Sequence, residues 1–372
     1  MNKIKYRSRK EFGTGFNHGF VPLESLDLSK INDFDELLTS MSKTSFGGRK
    51  LGEAADVLYN MISDPDCFVV MTLSGAMTVA KMGLLICEMI EKNMIQALIS
   101  TGALITHGLV ETTGMTHFKY DFSKTDSELE KLGYDRVYDT LELETNLGSL
   151  CVIVENIFSK FNQKETFSSH IICEKIGEYM HNNIKGRGIL KSAYEHKVPI
   201  YIPAITDCEL GLDFAIFNRK RKLNGQKEIM YNPFHDLEHF TDLILKQKTL
   251  GLFTIGGGVP RNWAQQIGPY LDLILWRIIN KSDPNKYYVE GGPYRKSYKY
   301  AVRICPEPAH WGGLSGCTYS EGVSWGKFLD PKKGGQLAEV LSDATLVWPL
   351  LIKAIEQRMA KNKLKIKKNF QI

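Results

Sequence analysis

The run Glu321-Gly322-Val323-Ser324-Trp325-Gly326-Lys327-Phe328 sets one lysine directly after a Trp-Gly pair. The stretch around it is thick with small residues: Gly312, Gly313, Ser315, Gly316, Ser320 and Gly322. Small residues let backbone and ligand approach closely. A lysine desolvated beside an indole has a lowered pKa, and the resulting neutral amine can form an imine. Glu321, six positions before Lys327, is placed to hold a cationic substrate or shuttle a proton. Trp325 can pack on an alkyl chain and attract an ammonium through its ring face. The competing reading is a surface lysine at a strand end next to a buried tryptophan.

Other residue groups point to a nucleotide. Small-residue turns follow apolar strand-like runs at Ser74-Gly75-Ala76, Thr101-Gly102-Ala103 and Gly256-Gly257-Gly258. In open α/β sheets such turns expose backbone N–H groups to phosphates beyond the carboxyl ends of strands. The G-x-G-x-x-G fingerprint is absent, and a glycine triplet by itself also serves as a tight turn. His235-Asp236-Leu237-Glu238-His239 fits H-x-x-E-H, an inverted zinc-protease pattern. Its third ligand is not evident and the segment opens an ordinary amphipathic helix, so no metal is expected. Ser315-Gly316-Cys317 reads as a buried thiol, since no Cys–His pairing is visible.

These groups need elements to hold them. Apolar spacing predicts a helix over 52–62, a buried strand over 68–73 and a helix over 77–91. A strand over 95–99 and a helix over 103–112 follow. Two successive strand-turn-helix units imply a parallel sheet with helices on its faces. Helices are expected over 150–161, 171–182, 236–246 and 344–359, with strands at 199–202, 251–255 and 300–304. Residues 271–279 fit strand or helix, and 280–299 read as a loop or insertion. The expected fold is α/β: a mostly parallel, Rossmann-like sheet with helices on both faces, in a single large domain. Residues 1–44 read as an N-terminal arm, 45–360 as the catalytic domain and 361–372 as a basic C-terminal tail.

Composition agrees with an ordinary globular chain. The 372 residues are 43% hydrophobic and 24% charged, enough to bury a substantial core. The net charge of +5 gathers at the ends, which read as solvated tails. No aromatic-interleaved basic stripe accompanies them, so nucleic acid is not an expected partner. Seven cysteines, none spaced C-x-x-C, suggest free thiols in a reducing compartment. The apolar stretch 67–90 is broken by Lys81 and Glu88, so no membrane span is expected, nor a signal peptide. A cytoplasmic location follows as the expectation.

The Val323–Lys327 string resembles the active-site segment of the deoxyhypusine synthase family. Further segments match that family in order: Ser100-Thr101-Gly102-Ala103, Pro203-Ala204-Ile205-Thr206-Asp207, Ile255-Gly256-Gly257-Gly258-Val259, and Ser342-Asp343-Ala344-Thr345-Leu346-Val347-Trp348-Pro349-Leu350. The likeness runs from about Phe46 to Ile355 and is of a divergent, bacterial type. It implies an NAD pocket contacted by Ser74, Thr78, Thr101, Gly102, Ala103, Asp207, Gly256, Gly257, Gly312 and Asp343. A carboxylate such as Asp207 or Asp343 suits a pair of ribose hydroxyls. It further implies a catalytic set of Lys327, Glu321, Trp325 and His107, with Asn262 and Ser315 on the substrate. A homotetramer built of dimers is implied, with active sites at the dimer interface.

The implied reaction moves an aminobutyl group from a polyamine such as spermidine, through an imine on Lys327, to an acceptor amine. Departures from the family pattern bear on that acceptor. His107 stands where the family has an active-site glutamate, and Asn262 where it has a catalytic histidine. Leu212 and Leu314 stand where it has substrate-binding aspartates. Each lost carboxylate removes a charged hydrogen bond of about 1.5–3 kcal/mol to an ammonium. These changes weigh against the family's translation-factor lysine as acceptor and towards a small amine such as putrescine, giving homospermidine. A non-catalytic NAD-binding protein is the reading from a different class.

Overall fold

Cys67–Leu73 (β1) is an apolar run interrupted only by Thr72, and all of it is buried. Strands covered on both faces read this way rather than as an alternation. The computed structural model describes residues 6–279 and 295–368. The further strands of the main sheet are Ala97–Ser100 (β2), Ile200–Tyr201 (β3), Thr249–Ile255 (β4), Tyr298–Ile304 (β5) and Gln336–Val340 (β6). Every pairing among them is parallel. Their spatial order is β6-β5-β4-β1-β2-β3. From the opposite edge this is 3-2-1-4-5-6, the doubly wound order whose direction of growth reverses between β1 and β4. The fold is therefore the single α/β domain with a Rossmann-like sheet that the strand-turn-helix pattern predicts.

Alternation along the strands divides the core between the two faces of the sheet. Val69, Met71 and Leu73 of β1 join one cluster, with the helices Phe46–Ser63, Gly83–Glu91, Gly102–Thr112 and Ala344–Lys361. Phe68 and Val70 join the other, with Phe240, Ala264, Ile267, Tyr319 and Phe328. That second layer carries the helices Phe234–Leu245, Gly258–Gln265, Ile267–Ile274 and Tyr319–Ser324.

Several boundaries differ from the sequence reading for identifiable reasons. The helix expected over 77–91 begins only at Gly83. Lys81 takes a left-handed φ of +64° and Met82 N–H closes back on Met77 C=O at 2.9 Å, which ends the first turn. Residues 271–279 are helical, closing in a π-turn at Leu275–Ile279. Of the expected loop 280–299, residues 280–294 lie outside the described residues, and Tyr298 and Lys299 already belong to β5. The apolar pattern misses a small antiparallel sheet of Phe118–Lys119, Thr140–Leu143 and Tyr134–Val137. It also misses the helix Glu209–Leu223 and strand β6.

The terminal segments are tied to the body. Within the expected arm, Phe34–Ser42 is a helix with Leu38 fully buried. Arg358 joins Asp35 at 2.6 Å and Asp56 at 2.7 Å. The basic tail is not simply solvated, because Lys368 Nζ donates to the carbonyls of Ile62 and Asp64 at 3.0 and 3.1 Å. Among the described residues, no helix is long and apolar enough to cross a membrane.

Candidate active site

The turns after β1 and β4 meet at the reversal point of the sheet. Gly257 N–H donates to Ser74 Oγ at 2.8 Å. Gly256 holds φ +76°, and a Cβ there would fall 2.3 Å from Ser74 Oγ; one on Gly257 would fall 2.6 Å from Ser315 Cα. The glycines are thus required by close backbone approach, not merely by a turn. Next door, a Cβ on Gly102 would sit 2.1 Å from Cys208 Sγ, so the Thr101–Ala103 turn abuts the loop that carries Asp207. The helices Gly102–Thr112 and Gly258–Gln265 both start from these turns. Their first N–H groups have no intrahelical acceptor and carry the positive end of the helix dipole. The result is a cradle that can accept phosphate groups at the crevice where doubly wound sheets hold nucleotides.

Other residues expected at this crevice take defined places. Asp343 follows β6 and caps the Ala344–Lys361 helix, accepting from Thr345 N–H at 2.6 Å and Thr345 O–H at 2.8 Å. Asp207 is exposed in the turn after β3. Thr78 is fully buried and its hydroxyl donates to Leu104 C=O at 2.8 Å, so it ties the first turn to the second. Gly312 is exposed with φ +74° beyond the end of β5.

Lys327 follows the short helix Tyr319–Ser324, whose C-terminus it closes by donating N–H to Gly322 C=O at 3.0 Å. Its backbone is pinned to the sheet, because Tyr298 N–H donates to Lys327 C=O at 3.0 Å. Lys327 Nζ then lies 3.4 Å from Asn262 Oδ1 and 5.8 Å from the Trp325 ring centroid. Burial lowers the lysine's pKa, and the Arg261 charge lowers it further. Arg261 is 2% exposed and donates to the carbonyls of Leu314 and Cys317 at 3.2 and 2.8 Å. Arg303 holds the same loop through Ser315 and Cys317 and is paired with Glu339. Asn262 is four residues into the helix that begins at Gly258, about 6 Å along its axis. The amine and the glycine cradle therefore belong to one neighbourhood of the second layer.

The remaining expected catalytic residues are arranged differently from one another. Trp325 is 70% exposed, so the alternative of a lysine beside a buried tryptophan does not describe this site. The Glu321 carboxylate closes a capping box, accepting from Thr318 N–H at 3.4 Å and Thr318 O–H at 3.0 Å. Ser315 packs against Gly257, and its carbonyl is taken by Arg303. His107 belongs to the Gly102–Thr112 helix, on the opposite face of the sheet from Lys327. Among the described residues, no hydrogen bond or ion pair joins His107 to Lys327. His107 Nδ1 instead lies 3.1 Å from Glu142 Oε2.

The H-x-x-E-H segment does not gather ligands. His235 is exposed, and Glu238 accepts from Tyr270 O–H at 2.6 Å. His239 stacks on His170 at 4.2 Å, with its Nδ1 at 2.8 Å from Tyr201 O–H. Asp236, inside the pattern, is the buried anchor, accepting from Ser169 N–H and O–H and from both His170 N–H and Nδ1.

Sequence reasoning passed over Arg261, Glu142, His117 and Lys81. Arg261 was signalled only by lying three positions after the glycine triplet. Glu142 sits between Leu141 and Leu143, where alternation would normally place a charge in solvent. Its burial depends on partners 25 and 35 residues away in the chain, His117 and His107.

Comparison with known proteins adds the family. The sequence model described as Deoxyhypusine synthase matches residues 36–355. A protein of Methanosarcina acetivorans named probable deoxyhypusine synthase 2 is 32% identical over 346 residues, covering 92% of this chain and 91% of its own. One of the same name from Archaeoglobus fulgidus is 34% identical over 312 residues, covering 84% and 94%. A deoxyhypusine synthase-like protein of Chlorobaculum parvum is 29% identical over 337 residues, covering 90% and 89%. Among solved structures, a putative deoxyhypusine synthase from Entamoeba histolytica aligns with a TM-score of 0.57 at 14% identity, covering 94% of this chain and 100% of that one. At that identity the likeness speaks for the fold alone.

Proposed function

Because the chain belongs to the deoxyhypusine synthase family, we propose that it is an NAD-dependent transferase that moves an aminobutyl group from a polyamine, through an imine on Lys327, to an acceptor amine. The observation that carries this reading is the setting of Lys327 Nζ. Burial and the Arg261 charge both disfavour its cation, and Asn262 Oδ1 at 3.4 Å fixes where it points. A lysine whose cation is disfavoured and whose amine is held in one direction suits imine chemistry.

The cradle fits NAD. Ser74, Gly256 and Gly257 would meet the pyrophosphate with Thr101, Gly102 and Ala103, while Asp207 and Asp343 offer carboxylates to the ribose hydroxyls. Thr78 would act from behind, through the turn that it ties, and Gly312 would close the far side. NAD, when bound, supplies the hydride acceptor that makes the amine carbon electrophilic and the hydride donor that reduces the product.

Lys327 does the covalent work. Its lone pair attacks the iminium carbon, the new C–N bond forms, and the bond to the donor nitrogen breaks. That nitrogen leaves as a primary amine carrying the proton that Lys327 gave up. The same exchange run with the acceptor frees Lys327 again. Trp325 covers the alkyl chain and attracts its ammonium end. Glu321 adds a negative charge near that end, while Asn262 and Ser315 position the substrate. His107 handles protons from the opposite face of the sheet. The family resemblance supports a site completed by two subunits in a homotetramer of dimers, which would let His107 of one chain serve the Lys327 of another. The leucines at 212 and 314 support a small-amine acceptor over a protein lysine.

Trapping tests the reading. The protein is incubated with NAD and either spermidine or putrescine, borohydride is added, and the adduct is mapped by mass spectrometry. An aminobutyl mass on Lys327 is expected, and the productive amine names the donor. NAD binding with no adduct from either amine would overturn the transferase reading in favour of a non-catalytic NAD-binding protein.

A further inference from the structure

Glu142 lies at the centre of a buried network that no part of the lysine chemistry uses. Its side chain is 1% exposed. Oε2 faces His107 Nδ1 at 3.1 Å and His117 Nε2 at 2.6 Å. Oε1 accepts from Asn146 Nδ2–H at 2.8 Å and Leu143 N–H at 2.9 Å. Burial alone would raise this carboxyl's pKa, but the hydrogen bonds from His107, Asn146 and Leu143 and the close His117 ring outweigh it and hold the group well below the usual carboxylate range.

The donor and acceptor roles follow from the partners. An ionised carboxylate only accepts, so His107 donates Nδ1–H and its ring lone pair falls on Nε2. His117 is set from its other side, where Lys81 Nζ lies 2.9 Å from its Nδ1. An ammonium only donates, so that Nδ1 accepts and the His117 proton stays on Nε2, towards Glu142. Glu111 lies 3.5 Å from Lys81 and balances its charge. The His117 nitrogen is off the line of a good hydrogen bond to Glu142, so its contact is electrostatic and His107 is the directional partner. The ligand-type atoms of His107, His117 and Glu142 lie within 4.8 Å of one another, which also suits a metal. A metal would need the His117 Nε2 lone pair, and Lys81 opposes that tautomer.

We infer that Glu142 is a positioning residue that holds His107 in the Nδ1–H tautomer, leaving His107 Nε2 as the proton-transfer atom on the helix that rises from the Thr101–Ala103 turn. The inference rests on the reading of His107 as an active-site residue of the transferase. His107 lies one turn beyond Ala103 on the same helix face. Nε2 takes the proton that a substrate ammonium loses on becoming a nucleophilic amine. In the exchange with the acceptor it returns that proton to the Lys327 amine as the lysine departs, and the net proton change is zero.

The test combines a spectroscopic and a kinetic readout on the full-length protein. Nitrogen-15 NMR of the histidine-labelled protein should show His107 as the Nδ1–H tautomer in the wild type and a tautomer mixture in Glu142→Gln. Glu142→Gln should lower kcat at least tenfold with little change in KM, and Glu142→Asp should recover part of the loss. The double variant Glu142→Gln, His107→Gln should be no slower than His107→Gln alone, as for groups acting as a unit. An unchanged tautomer in a folded Glu142→Gln protein would overturn the inference. So would additive losses, or stoichiometric zinc binding abolished by the same substitution. The NMR result does not depend on turnover, so a protein that makes no Lys327 adduct would fail the transferase reading and still decide this one.

Discussion

Lys327 Nζ and Asn262 Oδ1 lie 3.4 Å apart although 65 residues separate them in the chain. The contact aims the amine along the second layer of the sheet, towards the helix that starts at the glycine cradle. Substituting Asn262 by Ala removes one hydrogen bond worth about 1 kcal/mol. Borohydride-trapped adduct should fall about 3- to 10-fold while NAD binding is unchanged. Loss of NAD binding in that variant would place Asn262 in the cofactor pocket instead.

The lowered pKa of Lys327 predicts a pH signature. Adduct formation should rise with pH and reach half-maximum below the ordinary lysine value of about 10.4. The stability consequence has a definite sign. The unfolded chain binds this proton more tightly than the folded one, so stability rises with pH between the folded and unfolded pKa values, and the full penalty stands below the folded pKa. Lys327→Met should therefore abolish the adduct and stabilise the protein at neutral pH. The gain should be no more than about 1 kcal/mol, because the ammonium is partly solvated and screened. Denaturant unfolding of the two proteins measures it, and a destabilised Lys327→Met would show the ammonium to be favourably held.

Gly257→Ala introduces a methyl group 2.6 Å from Ser315 Cα. Backbone must shift, at a cost of about 1–3 kcal/mol. NAD affinity should drop at least tenfold by calorimetry, with the far-ultraviolet circular dichroism preserved. Gly148→Ala, a control at an exposed helical position with open space around it, should leave NAD affinity unchanged, and a loss there would point to general destabilisation.

Burial first, and then the His170 charge, push the His239 pKa down to about 4. The ring is therefore neutral above that pH, and its NMR resonances should not titrate between about pH 5.5 and 8. A midpoint near 6.5 would mean that the stacked pair opens in solution.

Asp236 accepts four hydrogen bonds from Ser169 and His170. Burial raises its pKa and those bonds outweigh it, so the folded value is lowered. The stability contribution is complete above the unfolded carboxyl value and is lost as pH falls through the folded one. Asp236→Ala should cost about 3 kcal/mol at neutral pH, read by denaturant unfolding. A change within 0.5 kcal/mol of zero would refute its role as the buried anchor of Ser169 and His170.

What the sequence determined by itself is local. An apolar run rich in β-branched residues such as 68–73 reads as a strand covered on both sides, and repeated strand-turn-helix units imply a parallel sheet. A glycine at 256, where φ is +76°, and the lysine string near 327 are likewise written in neighbouring residues. Tertiary structure alone decided which of these meet. Packing put the helix that carries His107 and the helix that precedes Lys327 on opposite faces of the sheet. Packing of the small antiparallel sheet delivered Glu142 to His107, across 35 residues, from a position whose polarity reads as solvent-facing. The π-turn and the αL residue Lys81 were equally invisible, whereas the capping role of Glu321 stands in the spacing Thr318-x-x-Glu321 and was passed over. Short-range dihedral and burial preferences act between residues a few positions apart, and so are legible in the sequence. The partner of a buried charge is chosen by the whole folded core, where leaving it unpaired would cost more than any local preference can offset.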